Sequence, residues 1–350
     1  MRSYSQAAST VAAGSGPIAV AVNPVTNKIY VANNGSDNVT VIDGATNGTT
    51  TVPVGSAPNA LAVNSVTNKI YVVNLNSSNV TVIDGETNHA TTVAAGTRPY
   101  AVAVNPVTNK IYVANIAAAS VTIIDGATNN AITVAAGSEP GAVAVNSVTN
   151  KIYVTNFTSD NVTVIDGATN TVSATVPVGK YPVAAAVNSV TNQIYVVNMR
   201  SSNVTVIDGA TNHTLTLPAG GAPDAVAVNP ATNKIYVVNA CGNDPTCGDS
   251  PGASATVTVI DGATLTSSAT VAATLSVGAR PETIALNPVS NQYYVPHNSS
   301  QTMTVISGAT NKITTLPDGS GPHALAVNPV TNKIYLANGG GNNVTVISLQ

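Results

Sequence analysis

The stretch NKIYVAN occupies residues 27–33, and near copies recur as NKIYVVN at 68–74, NKIYVTN at 150–156 and NQIYVVN at 192–198. The Tyr of each copy stands at 30, 71, 112, 153, 195, 236, 294 and 335, an even spacing apart from one added position before Tyr195 and one long gap before Tyr294. The long gap carries extra residues between Tyr236 and Asp261 and a few more before Val277. One module of about 41 residues is therefore used eight times, and a repeat of that length overrides the two or three domains that the chain length would otherwise suggest.

Each module holds four short segments that alternate β-branched and small residues. In the second copy they read ALAVN (60–64), KIYVVN (69–74), NVTVIDG (79–85) and ATTVAAG (90–96). Runs of this length, rich in Val, Ile, Thr and Tyr and bounded by Asn, Gly, Pro and Asp, are strands joined by hairpins. In the turn NPVTNK the Pro presets φ and the Asn tolerates positive φ. In DGATN the Gly is expected to supply the positive φ while the Asp accepts from nearby amides. A lone four-stranded meander cannot bury both faces, so the modules must stack, and four strands in about 40 residues is the period of a propeller blade.

The chain ends say how the ring closes. The last copy stops after its third strand at NVTVISLQ (343–350), while ASTVAAG (8–14) ahead of the first copy matches the fourth-strand sequence ATTVAAG. The expected fold is all-β: an eight-bladed β-propeller with four antiparallel strands per blade, closed by the N-terminal strand pairing with the C-terminal blade. Residues 1–7 would form a tail and 8–350 a single propeller, with an insertion at 240–255 in the sixth repeat. Closure also removes a free sheet edge.

Composition narrows the partners. Only 8% of residues are charged, against about a quarter in ordinary soluble proteins, and 12 Lys plus Arg with a net charge of -3 cannot build a basic stripe. No nucleic acid partner is expected, nor an anionic membrane surface. No apolar run reaches the length of a membrane span, so no membrane insertion is expected. The opening MRSYSQAAST lacks the apolar centre of a secretory signal, which reads as a mature segment with an added Met or a cytoplasmic product. Cys241 and Cys247 lie in a Gly, Asp and Pro loop, too few for zinc and suitably spaced for a small disulfide clasp. That tilts localisation towards the cell surface, the extracellular space or the periplasm.

With these motifs in place, the chain resembles the YVTN family of β-propeller repeats, whose name-giving strand stands literally at Tyr153, Val154, Thr155 and Asn156. The recurrent VN-P/S-x-TNKIYV and VTVIDGATN segments carry the resemblance over nearly the whole chain. The absence of any Trp separates it from WD-type and Trp-docked propellers. The resemblance implies a secreted or surface-layer protein of bacteria or archaea, frequently without enzymatic activity. Two copies depart from the pattern: the seventh reads YVPH and ISG, and the sixth carries the insertion.

Repeated residues read first as scaffold. Asp43, Asp84, Asp125, Asp166, Asp208 and Asp261 open the same hairpin and do turn work. Lys28, Lys69, Lys110, Lys151, Lys234 and Lys333 read as solvated edge charges. Function is sought where copies differ, on the face opposite the NPVTNK and DGATN turns. The loop into each first strand there reads GSGPI, GSAPN, GTRPY, GSEPG, GKYPV, GGAPD, GARPE and GSGPH. It places Arg98, Tyr100, Glu139, Lys180, Tyr181, Asp224, Arg280, Glu282 and His323 around the channel mouth. The second loop of that face adds an apolar arc of Leu75, Ile116, Phe157 and Met199, with Phe157 the only Phe in the chain. These residues together are the candidate ligand or partner surface, for a glycan, a polymer or a cell-surface protein. No nucleophile elbow, zinc helix or phosphate loop is present, so no catalytic residue, metal or cofactor is expected. The competing reading is a lyase- or lactonase-like propeller enzyme with its site at the channel mouth, using Glu282, His323 and the Arg and Lys nearby; His297 and His323, on adjacent blades, are with Glu282 the candidates for a metal or acid–base site. The expected form in isolation is a monomer.

Overall fold

A computed structural model describes residues 8–242, 244, 255–264 and 271–349. It forms eight four-stranded antiparallel sheets, and the strands within seven of them are consecutive in sequence. The eighth is completed from the other end of the chain. Ala8–Ala12 pairs with Asn343–Ser348, register Ala8 to Ile347 through Ala12 to Asn343, outside Lys333–Asn338 and Pro322–Asn328. Eight complete blades and closure by the N-terminal strand are thus as the repeat arithmetic requires.

The period-2 pattern of the second strand explains why blades stack. In KIYVAN, Ile29 and Val31 face the previous blade, joining Val11, Tyr335, Ala337, Val344 and Val346. Tyr30 faces the next, with Val39, Val41 and Val52 against Ile70, Val72 and Ile83. Both faces of the strand are thereby removed from water, and the repeated Tyr side chains are fully buried. Each fully buried Val, Ile or Tyr of this kind contributes about 1.5–3 kcal/mol or more from burial, so the core is a ring of inter-blade layers with no single centre.

Polar groups tie the layers along the constant face. The Asn ending each inner strand donates its amide to the turn Asn of the following blade, from Asn23 to Asn68 at 2.9 Å round to Asn328 to Asn27 at 2.9 Å, which closes the circuit. The turn Asn residues, among them Asn27, Asn68 and Asn109, hold positive φ as expected.

Two local expectations are corrected. In DGATN it is the final Asn, such as Asn47 at φ 61°, that takes the left-handed conformation. The Gly is required instead by close approach, because a Cβ on Gly44 would sit 2.4 Å from Asn27 Oδ1 and 2.7 Å from its carbonyl oxygen. Five of the six repeated Lys residues are staples between blades, not free edge charges, while Lys234 pairs with Asp261 of its own blade at 3.0 Å. Lys28, Lys69, Lys110, Lys151 and Lys333 donate to the Gly carbonyl of the neighbouring blade's turn at 2.5–3.2 Å. The Asp residues do what their turn position requires: Asp43 accepts from the amides of Ala45 and Thr46 and from the Thr46 hydroxyl. Those bonds hold its carboxyl below the usual carboxylate range.

The seventh blade is the irregular one. Its inner strand shrinks to Ala285–Asn287, with an isolated bridge from Pro281 to His297. Most of the sixth-repeat insertion, including Cys247 of the expected clasp, lies outside the described residues; Cys241 is buried.

Candidate ligand-binding site on the variable face

The loop entering each first strand and the loop leaving each second strand are joined by backbone bonds, as from Asn34 N to Gly16 O at 2.9 Å, so both belong to one face. On blades three to five this face carries an aromatic and cationic cluster. Tyr100 meets Phe157 edge-on at 6.2 Å, and Phe157 stacks on Tyr181 at 5.3 Å. The Arg200 guanidinium lies 4.1 Å above the Tyr181 ring, in cation–π contact. Lys180 pairs with Asp160 at 2.7 Å, and Asp160 also accepts from the Tyr181 amide at 2.9 Å. Phe157, Thr158, Asp160, Lys180, Tyr181 and Arg200 line a pocket of about 230 Å³.

The cluster is assembled by a complementary pair of departures from the repeat. Phe157 is 9% exposed because it folds down over Gly141, where a Cβ would fall 1.8 Å from its Cζ. Gly141 is the only residue after the loop Pro that lacks a side chain, and it belongs to the same blade as the only Phe. Gly141→Ala is therefore expected to cost about 1–3 kcal/mol by overpacking and to displace Phe157. Urea unfolding together with near-UV circular dichroism checks both, and an unchanged aromatic spectrum would contradict the packing described.

A second group stands farther round the mouth. His323 Nδ1 lies 3.1 Å from Glu282 Oε2, and Asn298 donates to Glu282 Oε1 at 2.9 Å. Asp224 is pushed up to about 6, first by burial and then by the Glu282 charge. Burial also raises the Tyr100 phenol, with the Asp224 charge adding to it.

The expected surface residues thus separate. Tyr100, Phe157, Lys180 and Tyr181 come together on one side, and Asp224, Glu282 and His323 on the other. Arg98, Glu139 and Arg280 are exposed on the rim but enter neither cluster. Leu75, Ile116 and Met199 are half-buried, each bonded through its backbone amide to the neighbouring loop, and act as loop anchors. Arg200, Asp160 and Gly141 escaped the sequence reading. The first two sit in the second loop of the variable face, where the sequence pattern singles out only the residue four places after the repeated Tyr, and only comparison of Gly141 with its counterparts in the other blades hints at the Phe.

His297 is removed from any site. It is 1% exposed and replaces the Asn that ends the second strand elsewhere. Gly278 N donates to its Nε2 at 3.1 Å and Thr304 Oγ1 lies 3.0 Å away, in place of the bonds made by Asn338 to Thr345. Accepting at Nε2 puts the proton on Nδ1, towards Thr302, and burial lowers its pKa to about 4. No group of three potential metal ligands clusters among the described residues.

No protein-family model and no curated protein sequence matches the chain. Solved structures do match in fold. Hydrazine synthase of Kuenenia stuttgartiensis superposes with a TM-score of 0.67 at 18% identity, covering 95% of this chain and 96% of that one. A streptogramin B lyase gives 0.65 at 11% identity, covering the whole of both chains. Virginiamycin B lyase from Staphylococcus aureus gives 0.64 at 11% identity, covering 99% of this chain and 100% of the other. Identities this low show the shared propeller alone. They do overturn the expectation that the chain has no enzymatic activity, because an architecture shared with a synthase and lyases gives no ground for excluding catalysis.

Proposed function

We propose that the chain is a ligand-recognition propeller that binds an anionic glycan on the variable face of blades three to five. The observation that carries this reading is the guanidinium of Arg200 held over the ring of Tyr181. Arg200 makes no ion pair among the described residues, so its planar fork is preset for a carboxylate. Lys180 at the pocket wall is balanced by Asp160, which leaves the Arg200 charge in excess, and the 36% exposed Tyr100 offers an aromatic surface for the apolar face of a sugar ring. The few charges elsewhere suit a rigid display module, and a secreted or surface setting of the YVTN type goes with the proposal.

Calorimetry with a uronic acid oligosaccharide and its neutral counterpart tests it. The acidic sugar is expected to bind, the neutral one to bind at least about tenfold more weakly, and Arg200→Ala to lose about tenfold, equivalent to one charge-assisted bond. Equal binding of both sugars, or no effect of Arg200→Ala, rejects the reading.

A second reading rests on a different observation. Glu282, hydrogen-bonded to His323 and beside an Asp224 whose pKa is raised by burial first and by the Glu282 charge second, is the kind of carboxylate–imidazole arrangement that moves protons. On a fold shared with a streptogramin B lyase it supports acid–base chemistry at the channel mouth. Turnover of a lactone or polysaccharide substrate that Glu282→Gln abolishes, with glycan affinity unchanged, would favour it.

A further inference from the structure

The constant face carries a feature that the fold does not require. The turn between the first and second strands needs its Asn residues for positive φ and for the inter-blade amide circuit, yet its tip holds an apolar residue in every blade. Val25, Val66, Val107, Val148, Val190, Val289 and Val330 are 73–78% exposed, and only blade six differs, with an exposed Ala231. Turn tips ordinarily take polar residues. These side chains are not scattered. The Val25 amide donates to Asn23, Asn23 donates to Asn68, and Asn68 stands just beyond Val66 in the same turn, so each tip is hydrogen-bonded through to the next. The turn keeps one conformation in every module, its last Asn at φ 50–55°, and so sets the tips at one height as a collar around the channel mouth.

We infer that this collar is the interface of a face-to-face homodimer, in place of the monomer expected from sequence. Two arguments select a second copy as occupant. The first is charge. The constant face holds seven lysines, six opening the second strands plus Lys312, against six turn aspartates plus Glu86, and is neutral; the net -3 of the chain belongs elsewhere. Most of these lysines are engaged by Gly carbonyls and the aspartates by their own turns. A neutral apolar ring neither attracts a charged partner nor repels its own copy. The second is area and symmetry. Seven valines three-quarters exposed present roughly 500 Å² of apolar side chain per copy, about 1,000 Å² across two when all are covered, which meets the lower bound for a biological interface and is the size of a weak, reversible one. An isologous contact uses the same patch on both subunits, and another copy supplies an apolar ring of the same eightfold spacing into whose gaps the tips fit.

Sedimentation of the full chain between about 1 and 100 μM, a range centred on micromolar dissociation constants, tests the inference. The wild type is expected to dimerise. The triple variant Val66→Asp, Val148→Asp, Val330→Asp is expected to be monomeric, and the near-isosteric Val→Thr triple at the same positions to weaken dimerisation at least about tenfold, with an unchanged unfolding midpoint at concentrations where both proteins are monomeric. Arg200→Ala, on the opposite face, should leave the dimer intact. A wild type that stays monomeric at the highest concentration overturns the proposal, as does a dimer that survives both triple variants or one that Arg200→Ala dissociates.

Discussion

Val11→Asp is expected to lower stability by at least about 3 kcal/mol and to convert a clean solution into larger oligomers. Val11 is 6% exposed and fills the seam between Ile29, Val31 and Ile42 on one side and Tyr335, Val344 and Val346 on the other. Losing its burial costs about 1.5–3 kcal/mol, and a carboxylate in its place must either be buried unpaired or leave with its strand. Departure of the strand exposes the paired positions 343–347 as a bare sheet edge, which invites pairing with other chains. Thr10→Asp on the exposed side of the same strand should have little effect. Urea unfolding and size-exclusion chromatography measure both consequences. A Val11→Asp protein with the wild-type midpoint would mean that the N-terminal strand does not close the ring.

The second large effect is pH-dependent and belongs to His297. Its folded pKa of about 4 lies below the ordinary 6.5, so between those values the unfolded chain binds a proton that the folded one refuses. Its contribution is complete above pH 6.5 and is lost as pH falls towards 4, by up to about 3 kcal/mol. Asp224 and Asp318 work in the opposite direction. Burial is the leading cause that raises both from 3.8 to about 6, so their contribution to the folded state is complete below about 3.8 and is lost as pH rises from there through 6. His297→Asn restores the repeat's own residue, removes the first contribution and leaves the second. The variant should gain stability relative to wild type as pH falls from 6.5 to 4, when urea midpoints are compared at about pH 7 and pH 4. Parallel profiles for the two proteins would show that His297 is not buried neutral.

What was legible in the sequence shares one cause. NKIYVAN repeated at a fixed interval encodes strand, face and turn locally, and because every blade meets its neighbours in the same way, one module's pattern specifies all the interfaces. The match between residues 8–14 and 90–96 adds the closure, so number of blades, strand order and sidedness followed from residues 8–350. Local pattern misled only where a residue's role depends on what approaches it. Lys28 looks like an edge charge until the Gly85 carbonyl of the next blade is beside it, and Gly44 looks like a positive-φ residue until Asn27 is found against it.

The candidate site was legible by location and not by composition. Variation around the loop Pro identified the face, and with the second loop it named Tyr100, Phe157, Tyr181, Glu282 and His323. It could not say that Phe157 lies down on Gly141, that Arg200 covers Tyr181, or that His297 turns inwards to serve as the strand-ending amide of its blade. Spacing along a chain determines which blade and which face a residue occupies, because strand periodicity and hairpin connectivity are local. Which side chains then meet depends on loop rotamers and on the volume left by a neighbour on another loop or another blade, and only the closed ring decides that.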